Sequence, residues 1–373
     1  MAQSYTPGLK VLANTPSEKI RQLPLKGEVL VQAGDSVSSD TVVASTYIPG
    51  NVHMINVARQ LNVEPETVSD CILVEIDENI IKGQVIAESK GFFGLFKMQI
   101  KSPIDGSLGN ISNITGQILL SEKPIAIEVD AFSAGTIKEI IPEEGAIVNT
   151  AGALIQGILG VGGENQGEIV LLVNSREDII KKEMLNESHK GKIIIAGAYL
   201  PIDVFEYAQK LGVHGIVAGG FDYDALSSIL GYNLGVAVTG SEELVTSIMV
   251  TEGFGEIAMA AGTFNLFQKF EGKFASINGS TQIRAGVIRP EVMIPHTEDI
   301  KSTELKESDM IISEKSPVRV IRAPYFGRVG QVISLPAPLV EMESEAMVRV
   351  AEIKLENGDI AIVPRANLEM ILN

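Results

Sequence analysis

Polar side chains able to bind a small molecule concentrate in three central stretches, VTGSEE (238–243), VTEGFGE (250–256) and INGSTQIRAG (277–286). A glutamate such as Glu252 can act as an acid or a base, and an arginine such as Arg284 can bind a carboxylate or a phosphate. Binding residues favour loops near strand ends, which predicts a ligand site here. A role in turns and domain contacts is the favoured alternative, because no pair has diagnostic spacing. The candidate ligand-binding residues are Thr239, Thr251, Glu252, Asn278, Thr281, Gln282 and Arg284.

Two glycine pairs could form nests of backbone amides for an anion. Gly219 and Gly220, followed by Asp222, lie at the carboxyl end of a predicted strand, where open α/β sheets bind ligands. Gly162 and Gly163 fit a turn between two domains better. Neither pair belongs to a nucleotide-binding fingerprint, so an anion pocket at 219–222 is predicted without a cofactor.

The residues typical of metal sites and nucleophilic catalysis do not form a motif. The four histidines, His53, His189, His214 and His296, are scattered, and Cys71 is the one cysteine. No Gly-x-Ser-x-Gly elbow is present, and no zinc spacing occurs. The sequence therefore predicts no metal site and assigns no catalytic residue, which argues against an enzyme but leaves the question open.

Composition limits the partners and the compartment. With 30 basic and 47 acidic side chains the net charge is −17, which repels polyanions and makes nucleic-acid binding an improbable main task. A single cysteine fits a reducing compartment. The first residues lack the apolar core of a signal peptide, and no window has the roughly 18–20 apolar residues of a membrane span. We expect a cytoplasmic protein without membrane insertion.

The N-terminal part contains four short repeats in which apolar and polar residues alternate around a turn, the pattern of half-buried strands. They span 26–44, 72–88, 104–120 and 133–155. The motifs GEVLVQAGDSV, IKGQVIAE, SPIDGSLGNI and GTIKEIIPEEGAIV resemble those of the biotinyl/lipoyl barrel-sandwich hybrid, or hammerhead, family. The resemblance implies such a domain with a short helical insert at 57–70. Carrier members modify a lysine, but Lys97 departs from their pattern in its neighbours and spacing.

The central part alternates short apolar runs with helical segments, which predicts βαβ units and a mostly parallel sheet. A further apolar helix is expected around Phe264. Helices are predicted at 175–185, 201–212 and 222–231, and strands at 191–198, 213–221 and 234–240.

The C-terminal part has alternating strands, including PVRVIRA, GRVGQVISL and AMVRVAEIKL. Its Val-x-Val-Ile strand and its Phe-Gly turn resemble the KOW family of SH3-like barrels, some members of which touch RNA or a polymerase. Residues 316–373 carry six basic and seven acidic side chains, however, so a basic face is absent. Protein contact is the favoured interpretation, since arginines and aromatic residues are enriched at protein interfaces. The candidate partner-contact residues are Arg319, Arg322, Tyr325, Phe326 and Arg328.

The predicted fold class is therefore a multidomain α+β protein with a barrel-sandwich hybrid, a central α/β domain and a C-terminal SH3-like β-barrel. The leading hypothesis is a non-catalytic cytoplasmic scaffold or assembly protein that binds a protein partner. The alternatives are a small-molecule-binding protein or enzyme using the central loops, and a transcription- or ribosome-associated factor using the KOW-like barrel. A homo-oligomer is compatible with all three. The predicted segments are an extension (1–25), the hybrid (26–159), the α/β domain (160–295), a linker (296–314) and the barrel (315–373).

Overall fold

A computed structural model describes residues 9–90, 97–230, 244–282, 288–303, 312–320, 324–325, 328–342 and 347–372. The protein is rich in strands, has few helices and is organised around one large mixed sheet. The α-helices are α1 (Val57–Leu61), α2 (Ile202–Leu211), α3 (Tyr223–Leu230) and α4 (Ala261–Lys269). Short 3-10 helices span Pro65–Cys71, Lys182–Met184, Glu187–His189 and Arg365–Asn367. None of the helices described is long and apolar enough to cross a membrane.

The strands fall into three groups along the chain. The first group is β1 (Leu9–Gln22), β2 (Glu28–Val29), β3 (Ser36–Val37), β4 (Val42–Ile48), β5 (Val52–Asn56), β6 (Asn79–Ile80), β7 (Val85–Glu88), β8 (Gln99–Lys101), β9 (Gly106–Ser112), β10 (Gln117–Glu122), β11 (Ile125–Asp130), β12 (Gly135–Ile141) and β13 (Gly145–Gln156). The second is β14 (Leu159–Val161), β15 (Glu164–Leu171), β16 (Ile193–Ile195), β17 (Gly215–Phe221), β18 (Ser247–Phe254), β19 (Phe274–Asn278) and β20 (Glu291–Pro295). The third is β21 (Pro317–Val320), β22 (Val329–Ser334), β23 (Val340–Glu341), β24 (Met347–Val348), β25 (Val350–Leu355), β26 (Ile360–Pro364) and β27 (Leu368–Leu372).

Strand β1 connects all three groups, although it lies in the segment predicted as an extension. It pairs antiparallel with β13 along most of its length and parallel with β27 at Leu9 and Lys10. On its other side β13 pairs with β20, which leads into the central group. Because hydrogen-bonded ladders fix neighbouring strands, β1 places the first and last groups beside the central one.

Residues 52–90 and 97–122, which we call the insert, form a unit with its own core. Strands β5, β10, β9 and β6 make one sheet, and β7 pairs with β8. Leu108, Ile118 and Leu120 alternate with more exposed residues and are fully buried together with the apolar side of α1. Among the strands described, none outside the insert pairs with one inside it. The chain enters the insert from β4 and leaves it into β11. Strands β4 and β11 pair antiparallel with each other, as do β5 and β10 inside the insert.

The central group contains four neighbouring parallel strands in the order β15, β16, β17 and β18. Helix α2 joins β16 to β17, starts after Pro201 and ends at Gly212, whose φ of 76° is left-handed. A glycine is favoured there because other residues are strained in that region. Strands β14, β19 and β20 flank the parallel strands with antiparallel pairings.

The helix predicted at 175–185 is wrong. Asp178 accepts hydrogen bonds from the amides of Asn174 and Ser175 at 3.0 and 2.9 Å, so its side chain closes a turn. Ile179 then forms isolated bridges beside β16, and only Lys182–Met184 is helical. Aspartate competes with helix formation in this way by hydrogen bonding to nearby backbone amides. The strand predicted at 234–240 lies outside the described residues.

The C-terminal group forms an antiparallel sheet in the order β27, β21, β22, β25 and β26. Alternate residues of β22, β25 and β26 point into a common core, including Val332, Ile353 and Val363. Arg319 on β21 is also buried although it is charged. It has a charged partner on the central group.

Candidate functional site

The predicted anion pocket at 219–222 is occupied by the chain itself. A Cβ atom on Gly219 would overlap the carbonyl oxygen of Ile257, and one on Gly220 would overlap that of Gly255. The segment 255–259 therefore packs over the carboxyl end of β17, and the amide of Ile257 donates to Ala198 O at 3.3 Å. The two glycines permit this close approach of backbone to backbone.

Asp222 lies at the start of α3, where its Oδ1 accepts a hydrogen bond from the amide of Ala225 at 2.8 Å. An aspartate in this position satisfies one of the free amides of a helix N-terminus. Its side chain therefore has a structural partner.

The residues predicted around 277–286 serve β14 and a turn. The hydroxyl of Thr281, which is buried, accepts from the amide of Gly160 at 2.8 Å and donates to its carbonyl at 3.1 Å. Asn278 accepts from the amide of Ser280 at 2.8 Å. These contacts stabilise the backbone at the end of the sheet.

The other three central candidates are placed as follows. Gln282 exchanges backbone hydrogen bonds with Ile288. Thr239 and Arg284 lie outside the described residues. Glu252, Asn278 and Thr281 do not line one common pocket. Of the three, only Glu252 lines the cavity at the junction of the central and C-terminal groups.

A cavity of about 260 Å³ lies where the central group, β1 and the C-terminal group meet. Thr251 and Glu252 of β18 line it from the central group, together with the first turn of α4. Arg319 of β21 and Glu369 of β27 line it from the C-terminal group. Two of the predicted ligand-binding residues and one predicted partner-contact residue are thus brought together.

Glu252 and Arg319 form a buried ion pair across this junction. The distance between Glu252 Oε2 and Arg319 Nη2 is 2.7 Å, and both side chains are more than nine-tenths buried. The other oxygen of Glu252 accepts from the amide of Ala260 at 2.9 Å, next to α4. Arg319 Nη1 also donates to the carbonyl of Thr251 at 3.3 Å. Paired charges of this kind offset the cost of removing them from water.

The pair continues into a second carboxylate and a second arginine. Glu369 lies 3.9 Å from Arg319 Nη1 and 3.2 Å from Arg289 Nη2. Burial raises the pKa of Glu369 above its ordinary value, the nearby carboxylate of Glu252 adds to that effect, and Arg289 and Arg319 oppose it. We call Glu252, Arg289, Arg319 and Glu369 the junction network.

The junction network leaves little free chemistry in the cavity. Both oxygens of Glu252 have partners within the chain, so the fold holds this side chain in place and it is not exposed as a general base. Within the part of the chain that the structure describes, the Nε of Arg319 is buried without a hydrogen-bond partner. Arg176, on the opposite wall, contacts the carbonyl of Met259 at 3.4 Å and pairs with Glu177.

Sequence reasoning did not identify Glu369 or Arg289, and it did not predict that Arg319 is buried. The available signal was a charge in the middle of an apolar strand: Arg319 follows Val318 in PVRV, and Glu369 precedes Met370 in LEMIL. Such charges are almost never fully buried unless they are paired. The sequence could therefore have indicated burial with partners, but not which partners.

The remaining C-terminal candidates are distributed differently. Arg319 is only 5% exposed and has its partners within the chain, so a docking protein could not reach it. Arg328 is exposed, and Tyr325 is partly buried against the core of the C-terminal group. Arg322 and Phe326 lie outside the described residues.

A second polar cluster surrounds Arg21 on β1. Its guanidinium lies 2.7 Å from Glu164 and 3.1 Å from Asp130, and it also lies 5.6 Å from the ring of Phe132. These charges connect β1 with the central group and leave a cavity of about 150 Å³ next to His214. No group of three or more metal-ligating side chains occurs among the residues described.

No protein-family model matches the chain, and no curated protein was found to be similar to it.

Proposed function

We propose that the protein is a non-catalytic cytoplasmic scaffold or assembly protein that binds a protein partner. The observation that carries this proposal is that the insert exposes many apolar side chains although it has a compact core of its own. The exposed residues on and beside the insert are Tyr47, Val52, Met54, Leu73, Ile76, Ile81, Met98, Ile114 and Ile125. Single exposed apolar residues are ordinary, but a concentration of them on one unit is typical of interaction surfaces.

Edge strand β5 is the most specific part of this surface. It forms one end of the insert sheet, and its Val52 and Met54 are more than 60% exposed on the same side. The only neighbour that β5 has among the described strands is β10. An extended apolar edge of this kind suits pairing with another chain.

The finer fold that we propose is a barrel-sandwich hybrid at 26–159, an α/β domain at 160–295 and a KOW-like, SH3-like barrel at 315–373. Nested β-sheets with short Gly-containing turns support the first assignment. The parallel strands β15 to β18 support the second. Five antiparallel strands, with Arg365–Asn367 helical before the last strand, support the third.

Affinity purification of the full chain from its native cells tests the proposed function. We expect a protein to be recovered after crosslinking, and to be lost when Val52→Ser and Met54→Ser are combined. Ile20→Ser, at an exposed position on β1, is the matched control and should keep the partner. Recovery of an isolated chain that turns over a metabolite would contradict the proposal.

The second candidate is a small-molecule-binding protein or enzyme that uses the junction cavity. It is favoured by Thr251 and Glu252 in the wall and by the Nε of Arg319, which has no hydrogen-bond partner among the described residues. Gly262 lines the same cavity, and a Cβ there would meet open space. A ligand found by thermal shift should therefore be displaced by Gly262→Leu, and equal shifts in both proteins would place the ligand elsewhere.

The third candidate is a transcription- or ribosome-associated factor acting through the barrel. Arg328 is the exposed arginine among the predicted contact residues that the structure describes. This candidate predicts co-sedimentation with ribosomes or polymerase that Arg328→Glu reduces. We rank it last, because a net charge of −17 opposes binding to a polyanion.

A further inference from the structure

The two ends of the large sheet differ in how their outer backbone groups are satisfied. At one end, β14 is buried, and the hydroxyl of Thr281 bonds to both the amide and the carbonyl of Gly160. At the other end, β26 pairs with β25 and with no other described strand. Sheet edges are normally protected, because unpaired strands attract other chains.

The register of β26 shows which backbone groups face outward. Asp359 accepts from the amide of Leu355, and Arg365 donates to the carbonyl of Arg349. Hydrogen-bonded pairs alternate along an antiparallel ladder, so Ala361 and Val363 bond to β25 as well. The amides and carbonyls of Ile360 and Ile362 therefore point away from β25, as does the carbonyl of Pro364.

The side chains of the same residues are apolar and exposed. Ile360 is 68% exposed and Ile362 is 52% exposed, whereas the intervening Ala361 is buried. No lysine or inward-pointing charge interrupts 360–363. Backbone donors, backbone acceptors and two isoleucines thus lie together on one edge, which is what an added strand requires.

We propose that β26 binds an extended segment of a partner protein by strand addition, and that this segment has apolar residues at alternate positions and a basic residue at the end beside the turn 356–359. This inference rests on the proposed scaffold function and names one of its docking surfaces. The alternation follows from the strand period, which places every second side chain beside the isoleucines.

Charge in the turn before β26 favours a basic residue at the end of the partner segment that lies beside this turn. Exposed Glu356 and Asp359 lie in the turn, whereas Glu352, opposite Ile362 in the ladder, is balanced by exposed Lys354, opposite Ile360. The other end of β26 carries Arg365 and exposed Arg349, so a basic end is favoured beside the turn alone. A second copy of the chain is disfavoured as the occupant, because each copy carries a net charge of −17.

Binding of a fluorescein-labelled probe peptide, Lys-Lys-Val-Thr-Val-Thr-Val-Lys-Lys, to the full chain tests the proposal. We expect saturable binding in fluorescence anisotropy. Ile362→Pro should weaken it about tenfold, because loss of one or two backbone hydrogen bonds corresponds to roughly that factor. The proline removes an amide that β25 does not use, so the fold should survive, as circular dichroism would show.

A side-chain pair provides the control. Ile362→Thr should weaken probe binding, whereas Ile333→Thr, at an exposed position on β22, should not. In nuclear magnetic resonance, the amides of Ile360 and Ile362 should become protected from exchange when the probe binds. Absent binding to the wild type, or equal binding by all variants, would overturn the proposal.

Three further outcomes test the choice of occupant and separate this inference from the function on which it rests. Sedimentation of the wild type as a dimer that Ile362→Pro dissociates would assign the edge to a second copy and overturn our choice of occupant. Recovery of native partners by Ile362→Pro at wild-type levels would also sink the edge proposal, but would leave the scaffold function intact. If the wild type itself recovers no partner protein in the affinity purification, the scaffold function is contradicted instead.

Discussion

The C-terminal group of strands and the insert are attached to the rest of the chain in opposite ways. The C-terminal group is joined by the β1–β27 ladder and by the buried Glu252–Arg319 pair. The insert is joined through a pair of strands, and the polar contacts at that point, His53–Glu122 and Asn51–Glu122, are partly or wholly exposed. Buried and exposed ion pairs differ greatly in their energetic consequences.

The difference indicates where each attachment gets its stability. At the junction, removal of one charge leaves another buried without a partner, so the arrangement depends on a few residues. In the insert, solvent screens the polar contacts, and stability comes from apolar burial within the unit. We therefore expect the C-terminal group to be fixed against the central group and the insert to unfold as a unit of its own.

Arg319→Met should have the largest effect. It leaves the carboxylates of Glu252 and Glu369 near each other without the arginine between them, which costs about 3–5 kcal/mol for a buried pair. Urea unfolding of the full chain measures this loss. Arg328→Met, at an exposed arginine in the same C-terminal group, is the control and should change the free energy of unfolding by less than about 0.5 kcal/mol.

The double variant Arg319→Met with Glu252→Leu sharpens the same comparison. Replacing both partners of a buried pair by apolar side chains is often nearly neutral. We expect it to recover much of the stability that Arg319→Met loses. Additive losses from the two substitutions would show that the pair is not coupled.

Leu120→Ala should have the second largest effect, confined to the insert. Leu120 is fully buried in the insert core, and truncation of a buried leucine costs about 2–5 kcal/mol. Hydrogen exchange followed by mass spectrometry should show lost protection in 52–122 and unchanged protection in β1 and β13. Ile114→Ala, at a residue 92% exposed, is the control. Loss of protection throughout the chain would contradict an independent insert.

Gly220→Ala and Gly262→Ala form a matched pair that should change the stability of the fold in opposite directions. A methyl group on Gly220 would overlap the carbonyl of Gly255, so we expect a loss of about 1–3 kcal/mol. A methyl group on Gly262 meets open space in the first turn of α4, and alanine favours a helix over glycine by up to about 1 kcal/mol. Melting temperatures of both variants decide the matter; stabilisation by Gly220→Ala would show that the segment 255–259 does not pack there.

Local patterns were sufficient to predict many individual elements. Pro201 and Gly212 mark the ends of α2, and Phe264 lies in α4, as expected from their apolar spacing. Segment 175–185 was mispredicted, because the side chain of Asp178 bonds to amides that precede it. Propensity describes the average behaviour of a residue and does not include such specific hydrogen bonds.

The candidate site was less predictable, since it depends on contacts between distant parts of the chain. Thr251 and Glu252 were identified from residue type, and both line the junction cavity. Their partner Arg319 is 67 positions from Glu252 in sequence, and no spacing rule connects strands so far apart in the chain. The role of β1 was hidden for the same reason, because its pairing with β27 joins the two ends of the chain.

The smallest predicted effect is a dependence of folding stability on pH. It shows whether burial or charge pairing dominates the pKa of Glu369 at the junction. Burial raises the pKa of Glu369 above 4.5, its ordinary value, against the influence of Arg289 and Arg319. The folded state then binds this proton more tightly than the unfolded state does, so the contribution of Glu369 is greatest at low pH. It is lost as the pH rises from about that ordinary value through the raised pKa.

Urea unfolding of the wild type and of Glu369→Gln at several pH values measures this contribution as a difference. The difference isolates Glu369 from carboxylates with the opposite sign, such as Asp178, whose pKa is lowered by hydrogen bonds from Ser175 and Asn174. Relative to the glutamine variant, the wild type should lose stability with rising pH, with a slope of at most about 1.4 kcal/mol per pH unit. Glu356→Gln is the control, because it also removes one carboxylate at the same cavity, but an exposed one. A difference that instead grows with pH would mean that the two arginines outweigh burial, and that the junction is stabilised by Glu369 as an anion.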